Sequence, residues 1–338
     1  MLENEKPAIA ITMGDPCGIG PEVVVKALAD PQVYASCRPI VVGNTFAMQQ
    51  AVKLTGMPLT INETDDPTSA GENPSVVDVV DIHNLNPEDI TVGQISIPCG
   101  KAAMEWVSKA GQLALAGIVD GLATAPLNKE AASLAGFQSI GHMELLQELS
   151  GAKTVATMLL AKNLRVVHLT THRSLRLACD YVKKDRILEF LQLTHDNFIK
   201  WGFTDPRIAA AALNPHGSDG GLLGNEEAEE IAPAVQEARE RGINVVGPIP
   251  ADIVFHQAIQ GRYDTVLCMY HDQGHIPVKV YGFEESITAN LGLPFVRTSV
   301  DHGTAFDIAG KGIADQVSML ESIRLAIGLA KGNGLSDF

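Results

Sequence analysis

At 338 residues the chain can bury a large core, and its length favours two domains or one large α/β unit. A formal net charge of −15, from 25 Lys and Arg against 40 Asp and Glu, excludes the basic stripe of a nucleic-acid surface, so an anionic ligand would have to be met by a few local cations, a metal or helix N-termini. Hydrophobic residues at 46%, aromatic residues at only 5% and 31 glycines suit strands and helices packed closely in α/β layers.

Short apolar runs alternate with helical patterns along the chain. "AIAITM" reads as a strand, followed by a helix from Pro21 through Ala29; "PIVVG" is a strand before a helix over Phe46 to Leu54; "SVVDVV" is a third strand. Thr64 to Asn73 is polar and reads as a mobile surface loop. From Ala102 to Val119 the spacing of Ala103, Trp106, Val107, Ala110, Leu113, Ala114 and Ile118 fits one helix face, and "GLATAPLN" reads as a strand ending in a Pro-containing turn. After a short helix closed by Gly151, "TVATMLLA" and "LRVVHLTT" flank Lys162-Asn163 as a hairpin. A helix over about 185 to 200, the strand "RIAAAALNPHG" and the helix "GNEEAEEIAPAVQEARERG" follow, the last with acids early and Arg late, as the helix dipole favours. "TVLCMY" is a strand, and the last helix runs from about Asp315 to Leu329. No repeat or low-complexity linker appears, which predicts domains interleaved in sequence.

The five cysteines, Cys17, Cys37, Cys99, Cys179 and Cys268, are scattered without a CxxC pair and read as reduced thiols. No basic leader precedes an apolar stretch, and no run of about 18 apolar residues is present. The expectation is a cytoplasmic protein with neither membrane nor nucleic acid as partner.

Four segments run from an apolar strand into a polar end: "ATAPLNK", "VVHLTTHRS", "AAALNPHGSDG" and "CMYHDQGH". In α/β sheets ligands bind where strands end and helices begin. Three of the four end in a histidine: His172, His216 and His271. Three neutral imidazoles can hold a divalent ion with positions left open for substrate, although with 43 and 54 intervening residues they form no local ligand motif. Each could instead hydrogen-bond a loop carbonyl. Asp272 could orient His271 or cap a helix.

Two glycine-rich segments suggest an anionic ligand. "GDPCGIGPE", with Gly18 and Gly20, lies between a strand and a helix, where backbone N–H groups can meet a phosphate, yet it is not the GxGxxG dinucleotide fingerprint. "DHGTAFDIAGKG", with His302, Gly303, Thr304 and Asp307, precedes the last helix. Lys129, Lys279, Arg297 and Arg173 are the cations an anion could meet. Lys279 and Arg297 stand out because "IPVKVYG" and "LPFVRTSV" are otherwise apolar.

Taken in order, "ITMGDPCGIGPE", "ATAPLNKEA", "GHMELL", "TTH", "NPHGSDGGLLGNEE", "MYHDQGHIPVK" and "GLPFVRTSVDHGTAFDIAGKG" resemble the 4-hydroxythreonine-4-phosphate dehydrogenase (PdxA) family over nearly the whole chain. The resemblance implies an α/β fold like that of isocitrate and isopropylmalate dehydrogenases, two α/β/α domains with a central cleft. Here these would be residues 1–138 with 290–338, and residues 139–289 carrying the histidines and much of a dimer interface. It also implies a homodimer with shared active sites, NAD or NADP bound at the two glycine-rich segments (Gly18, Gly20, His302, Gly303, Thr304, Asp307), and one divalent ion, Zn, Mg, Mn or Co, on His172, His216 and His271, some supplied across the dimer. Asp252 and Asp272 would maintain the site, and His142, Met143, Lys279, Thr288 and Arg297 would contact substrate, with Lys279 a candidate for proton transfer.

The implied reaction is oxidation of a 4-phosphorylated 3-hydroxy acid followed by decarboxylation. Two positions depart from the family pattern: Met143 stands where a threonine is usual, and Thr288 where an asparagine is expected, with Asn290 close by. "YHDQGHIPVK" and "GTAFDIA" are similar to the sister group acting on threonate or erythronate 4-phosphates. The lost threonine hydroxyl keeps open the branch that oxidises a terephthalate cis-dihydrodiol. Outside the dehydrogenases, a phosphotransacetylase-like acyltransferase and a silent ligand-binding protein are the alternatives.

Overall fold

The computed structural model describes residues 6–139 and 141–333. The chain divides into two compact units, one built from the segment up to Lys153 together with Leu293–Lys331, the other centred on Thr154–Gly292.

The first unit carries β1 (Ala8–Thr12), β2 (Arg38–Val42), β3 (Thr60–Glu63), β4 (Val76–Val80), β5 (Gly121–Thr124) and, returning late in sequence, the strand Val296–Val300. Their order is β3-β4-β2-β1-β5-(296–300), and every pairing is parallel. β1 is buried at all five positions, which explains its unbroken apolar sequence: a parallel strand covered on both faces has no polar side to show.

Helices α1 (Gly20–Leu28), α2 (Pro31–Ser36), α3 (Thr45–Thr55), α4 (Ile97–Leu115), α5 (Lys129–Leu134), α6 (His142–Ser150) and the C-terminal Val317–Lys331 complete the unit. α3 starts where the Asn44 side chain accepts from the Ala47 N–H at 3.0 Å and stops at Gly56 with φ 66°. α4 begins at Ile97, earlier than the apolar spacing predicts. Ser96 caps it and Pro98 tolerates the first turn, a start signal independent of periodicity. The polar segment 64–73 holds a short 3-10 turn, Pro67–Ser69, capped by Asp66.

The second unit carries β6 (Ala156–Ala161), β7 (Leu164–His168), β8 (Ile208–Ala211), β9 (Val245–Ile249), β10 (Thr265–Cys268) and β11 (Ile287–Leu291), in the order β11-β6-β7-β10-β8-β9. With these named, the strand Val296–Val300 is β12. β6 and β7 form the expected antiparallel hairpin, with Ala161 opposite Leu164 and Lys162 at φ 53° in the turn. β7, β10, β8 and β9 are parallel.

Helices α7 (Leu175–Asp180), α8 (Lys184–Lys200), α9 (Ala232–Glu240), α10 (Ala251–Ile259) and α11 (His271–Tyr281) belong to this unit, the last four packing on its strands, and Val317–Lys331 is therefore α12. The core of the unit includes Leu159, Val166, Ala209, Val254, Val266 and Val278. α11 was not anticipated as a helix, because Gly274 and Pro277 lie inside it and both lower helix propensity.

The predicted domain limits at 138/139 and 289/290 compare with divisions after Lys153 and Gly292. α6 accounts for the first difference. Its Leu146 is fully buried and, with Leu149, packs over Gly111 of α4, which ties the helix to the first unit. The ends of the predicted first domain, residues 1–5 and 334–338, lie outside the described residues. Among the described residues all five cysteines are free thiols, and no helix is long and apolar enough to cross a membrane.

Candidate active site and metal ligands

In the second unit the three predicted ligand histidines occupy three strand or helix ends. His172 follows β7 and is exposed, His216 lies in the turn after β8, and His271 is the first residue of α11. The His172 and His271 rings are 5.7 Å apart, centroid to centroid. Both line one cavity of about 290 Å³ with Arg173, Tyr270 and Asp272. His216 is not among the residues of that cavity. Nor does the trio form one of the three-ligand groups whose donor atoms lie within 4.8 Å of one another among the described residues.

The donor chemistry nevertheless suits an ion. Nδ1 of His271 lies 2.6 Å from Oδ1 of Asp272, and Nδ1 of His216 lies 3.1 Å from Oδ2 of Asp219. A carboxylate on Nδ1 holds that nitrogen protonated and points the Nε2 lone pair outward, the usual way a metal-binding imidazole is oriented. Asp272 thus has the geometry of an orienting carboxylate. Asp219, which sequence reasoning passed over, stands in the same relation to His216; its signal was an i, i+3 spacing inside a loop, where such spacing carries no structural meaning.

The turn bearing His216 is built against local preference. His216, Gly217, Ser218, Asp219 and Gly220 all have positive φ, at 54°, 69°, 72°, 47° and 71°. The glycines adopt this freely, whereas each residue with a Cβ pays about 1–2 kcal/mol. Buried Glu227 holds the turn's entry: Oε1 accepts from the Leu213 and Asn214 N–H groups at 2.8 Å each. Helix α10 packs against the turn and carries Asp252, exposed, in its own first turn.

Behind His271 stands a pair of histidines that sequence reasoning also missed. The His275 ring stacks on His271 with centroids 3.6 Å apart, and its Nδ1 lies 3.0 Å from Nε2 of His168. Burial, then the neighbouring His275, pushes the pKa of His168 down to about 3, so this ring is neutral. Gly274 makes the approach feasible, since a Cβ there would sit 2.4 Å from His168 Nε2 and 2.6 Å from Cys268 Sγ. The i, i+4 spacing of His271 and His275 becomes a signal only once the segment is known to be helical.

Lys279, two turns further along α11, lies about 12 Å from His271 in axial rise. It is half-buried, and its Nζ donates to Ser286 Oγ at 3.0 Å while standing 4.9 Å over the Phe283 ring. Thr288 is partly exposed on β11, while Asn290, on the same strand face, is buried with its amide directed at the Ala156 carbonyl. Asn290 thus faces the interior of its own unit, whereas Thr288 reaches the surface.

In the first unit a cationic cluster forms. Arg297 on β12 is only 5% exposed and donates from Nη2 to Thr124 Oγ1 at 2.7 Å. Burial pulls its pKa down to about 9, with Glu144 opposing the shift. His142, at the start of α6, is held well below the usual imidazole range by loss of water, then by the positive charges of Arg297 and Lys129. Its Nε2 meets no hydrogen-bond partner. A neutral imidazole beside two cations is a site that an anion would relieve. Met143 follows it, partly buried.

The two glycine-rich segments also meet in this unit. Ile19 N–H donates to the Thr304 carbonyl at 3.0 Å. A Cβ on Gly18 would lie 2.6 Å from that same oxygen, and one on Gly20 would lie 2.4 Å from the Met13 carbonyl. These glycines are thus demanded by the chain's own backbone contacts. Gly303 faces open space, and Asp307 is exposed. His302 turns Nδ1 to the Gly303 carbonyl, leaving Nε2 without a partner. Beside the segments lies a cavity of about 430 Å³, walled by Pro16, Gly18, Phe46, Leu54, Val92 and Gly310 among others.

Comparison with known proteins places the chain in a family. The family model described as "Pyridoxal phosphate biosynthetic protein PdxA" matches residues 35–326. The chain is 45% identical, over 95% of its length and 96% of the relative's, to a Symbiobacterium thermophilum protein named "Putative D-threonate 4-phosphate dehydrogenase". The crystal structure of 4-hydroxythreonine-4-phosphate dehydrogenase from Klebsiella pneumoniae superposes with a TM-score of 0.90 at 42% identity, covering 97% of this chain and 99% of that one. A terephthalate 1,2-cis-dihydrodiol dehydrogenase from Burkholderia xenovorans gives 0.67 at 30% identity, covering 96% and 98%. With a family match across most of the chain, the expected motifs in order and an α/β fold shared with solved members, this protein belongs to the PdxA family.

Proposed function

We propose that the protein is an oxidoreductase that uses NAD or NADP to oxidise a 4-phosphorylated 3-hydroxy acid, 4-phospho-D-threonate, its erythronate isomer or 4-phosphohydroxy-L-threonine, with loss of carbon dioxide from the resulting β-keto acid. The observation that carries the reading is the pair of carboxylate-backed imidazoles, His271 with Asp272 and His216 with Asp219, in a chain of this family. A divalent ion held by His172, His216 and His271 would polarise the substrate hydroxyl, and the nicotinamide would accept the two electrons.

The chain's own groups have distinct tasks in this reading. Asp272 and Asp219 fix the imidazole tautomers. His142, Lys129 and Arg297 present positive charge and a neutral imidazole to the phosphate or carboxylate. In this reading Lys279 and Thr288 contact substrate, Lys279 is the candidate for proton transfer, and Asp252 supports the His216 turn. The cavity of about 430 Å³ beside Gly18 takes part of the nucleotide, with His302, Gly303, Thr304 and Asp307 as its neighbours.

The reading includes a homodimer. Ile276, Val280 and Phe283 on and just after α11 are 59%, 83% and 66% exposed, an apolar stripe at helical spacing that a second copy would cover. A partner would also complete a ligand set that one chain does not bring to a single point.

The test is NADH or NADPH formation by metal-supplemented enzyme against the three phosphorylated acids and a cis-dihydrodiol carboxylate, with and without chelator. Chelator-sensitive turnover of a phosphorylated acid is the expected result. Activity on the dihydrodiol alone would favour the second reading, for which the thioether of Met143 in place of a hydroxyl is the specific support. Full turnover in chelator would remove the metal from the proposal.

A further inference from the structure

Asp15, Cys17 and Cys99 form a cluster that the proposed reaction does not use. The two sulfurs, from residues remote in sequence, approach to 3.4 Å, and both side chains are completely buried. One carboxylate oxygen of Asp15 and the two sulfurs all lie within 4.8 Å of one another. Asp15 is itself completely buried. Its Oδ1 accepts from the Cys17 N–H at 2.8 Å, whereas its Oδ2 meets no hydrogen-bond partner. A buried carboxylate with an unsatisfied oxygen is unfavourable by several kcal/mol unless a cation or donor reaches it.

We propose that Asp15, Cys17 and Cys99 are ligands of a second metal site, built from other residues than the histidine set and taking one thiolate-preferring divalent ion of the Zn²⁺ type. The sulfur spacing favours an ion over a disulfide. Two thiolates at about 2.3 Å from a tetrahedral ion stand about 3.8 Å apart. A disulfide needs about 2.05 Å. From 3.4 Å the first requires the sulfurs to part by a few tenths of an ångström, the second to close by more than one. Sulfur donors also select against Mg²⁺, which takes oxygen ligands.

The surroundings suit an anionic ligand set. Cys99 lies in the first turn of α4, a 19-residue helix whose N-terminal dipole favours negative charge, with the Ser96 hydroxyl capping that turn. The Asp89 carbonyl now accepts from the Cys99 thiol at 3.4 Å, and loss of that proton would leave its oxygen free for the ion. On binding, each S–H bond would break as its sulfur bonds the ion, and the two protons would leave to solvent.

The ion would join three pieces of chain: the β1–α1 loop, the loop over 86–96 and the start of α4. The first two already touch through the Gly93 N–H, which donates to the Cys17 carbonyl at 2.8 Å. They also supply Pro16 and Gly18, and Ile90 and Val92, to the walls of the 430 Å³ cavity. The site would therefore hold two walls of that cavity in register.

The test loads the chelator-stripped, reduced full-length protein with Co²⁺ alone and records thiolate-to-cobalt charge-transfer absorption in the near ultraviolet. The expected result is a band that appears in the wild type, saturates at one equivalent in the His172→Ala/His271→Ala double variant, where the histidine set does not compete, and is lost in Cys17→Ala and in Cys99→Ser. Persistence in the histidine variant keeps this outcome separate from the fate of the proposed reaction. Should a cysteine variant fail to fold, X-ray absorption of the cobalt-loaded His172→Ala/His271→Ala protein decides, with two sulfur neighbours supporting the site and none overturning it. Absence of the band in the wild type, its survival in Cys17→Ala, or a Cys17–Cys99 disulfide in protein prepared without reductant would each overturn the proposal.

Discussion

Nδ1 of His275 lies 3.0 Å from Nε2 of His168, and the contact sets the tautomers of both rings. His168 is neutral and points Nδ1 at the Thr157 carbonyl, 3.3 Å away, so its one proton belongs there and Nε2 must accept from His275. His275 is in turn stacked on His271. The buried ring therefore anchors the ring that backs a proposed metal ligand.

Replacing His168 with leucine removes the acceptor while filling much of the space. His275 should lose its fixed orientation and His271 its stacking partner. Removing such outer support typically lowers metal affinity by about 10- to 100-fold. Chelator-competition titration of the purified variant measures it, with the circular dichroism spectrum retained. Wild-type affinity in His168→Leu would show that the buried ring does not support the ligand.

The left-handed turn at His216 separates function from stability. His216→Gly relieves a Cβ held at φ 54° and should leave the thermal midpoint unchanged or raise stability by about 1 kcal/mol. The same variant should lose metal-dependent turnover. A variant that is both destabilised and fully active would show that this imidazole is a packing element.

Arg297 is the most deeply buried cation of the proposed anion site. Arg297→Met should raise KM for a phosphorylated substrate by about 10- to 100-fold, the loss expected when a charge-assisted hydrogen bond of about 1.5–3 kcal/mol is removed. It should also raise the pKa of His142, since Arg297 is one of the charges holding it down. The two readouts come from steady-state kinetics and from the imidazole resonances in NMR. A KM change with no movement of His142 would place the arginine's effect elsewhere.

Much of the fold was legible because buried parallel strands advertise themselves. β1, β2, β5, β8 and β10 are short apolar runs that end in polar residues, and their C-terminal ends carry the chemistry. The hairpin of β6 and β7 was readable from two apolar segments around Lys162-Asn163. Other elements lacked such a signal. β12 sets Arg297, Thr298 and Ser299 between two valines, yet those polar side chains are buried and each hydrogen-bonds β5 or α12, a condition only the folded chain supplies. α11 was hidden by Gly274 and Pro277, and with it the His271–His275 pair.

Ligand types were visible at strand ends, but their orienting partners were not. Asp219 and His168 matter through distances to His216 and His275 that no spacing rule encodes. Likewise Gly18 and Gly20 stood out as glycines, while the reason for them, the Thr304 and Met13 carbonyls, lies in contacts made on folding.

Stability should fall on acidification through the range where histidine titrates in the unfolded chain. The folded pKa of His168 is about 3, below the unfolded value near 6.5, so between those values the unfolded state binds more protons. Stability then rises with pH across the window, is fully present above about 6.5, and is lost progressively below it. His142 is shifted in the same direction. Asp15 opposes them: burial raises its pKa to about 6, so between 3.8 and 6 the folded state holds the extra proton and stability declines as pH rises. Each group contributes at most about 1.4 kcal/mol per pH unit, and two histidines against one carboxylate leave a net gain with pH. For the metal-free protein the urea midpoint at pH 5 should therefore lie below that at pH 7, and His168→Leu should flatten the difference. A midpoint at pH 5 equal to or above that at pH 7, or an unchanged slope in the variant, would contradict this assignment of buried neutral imidazoles.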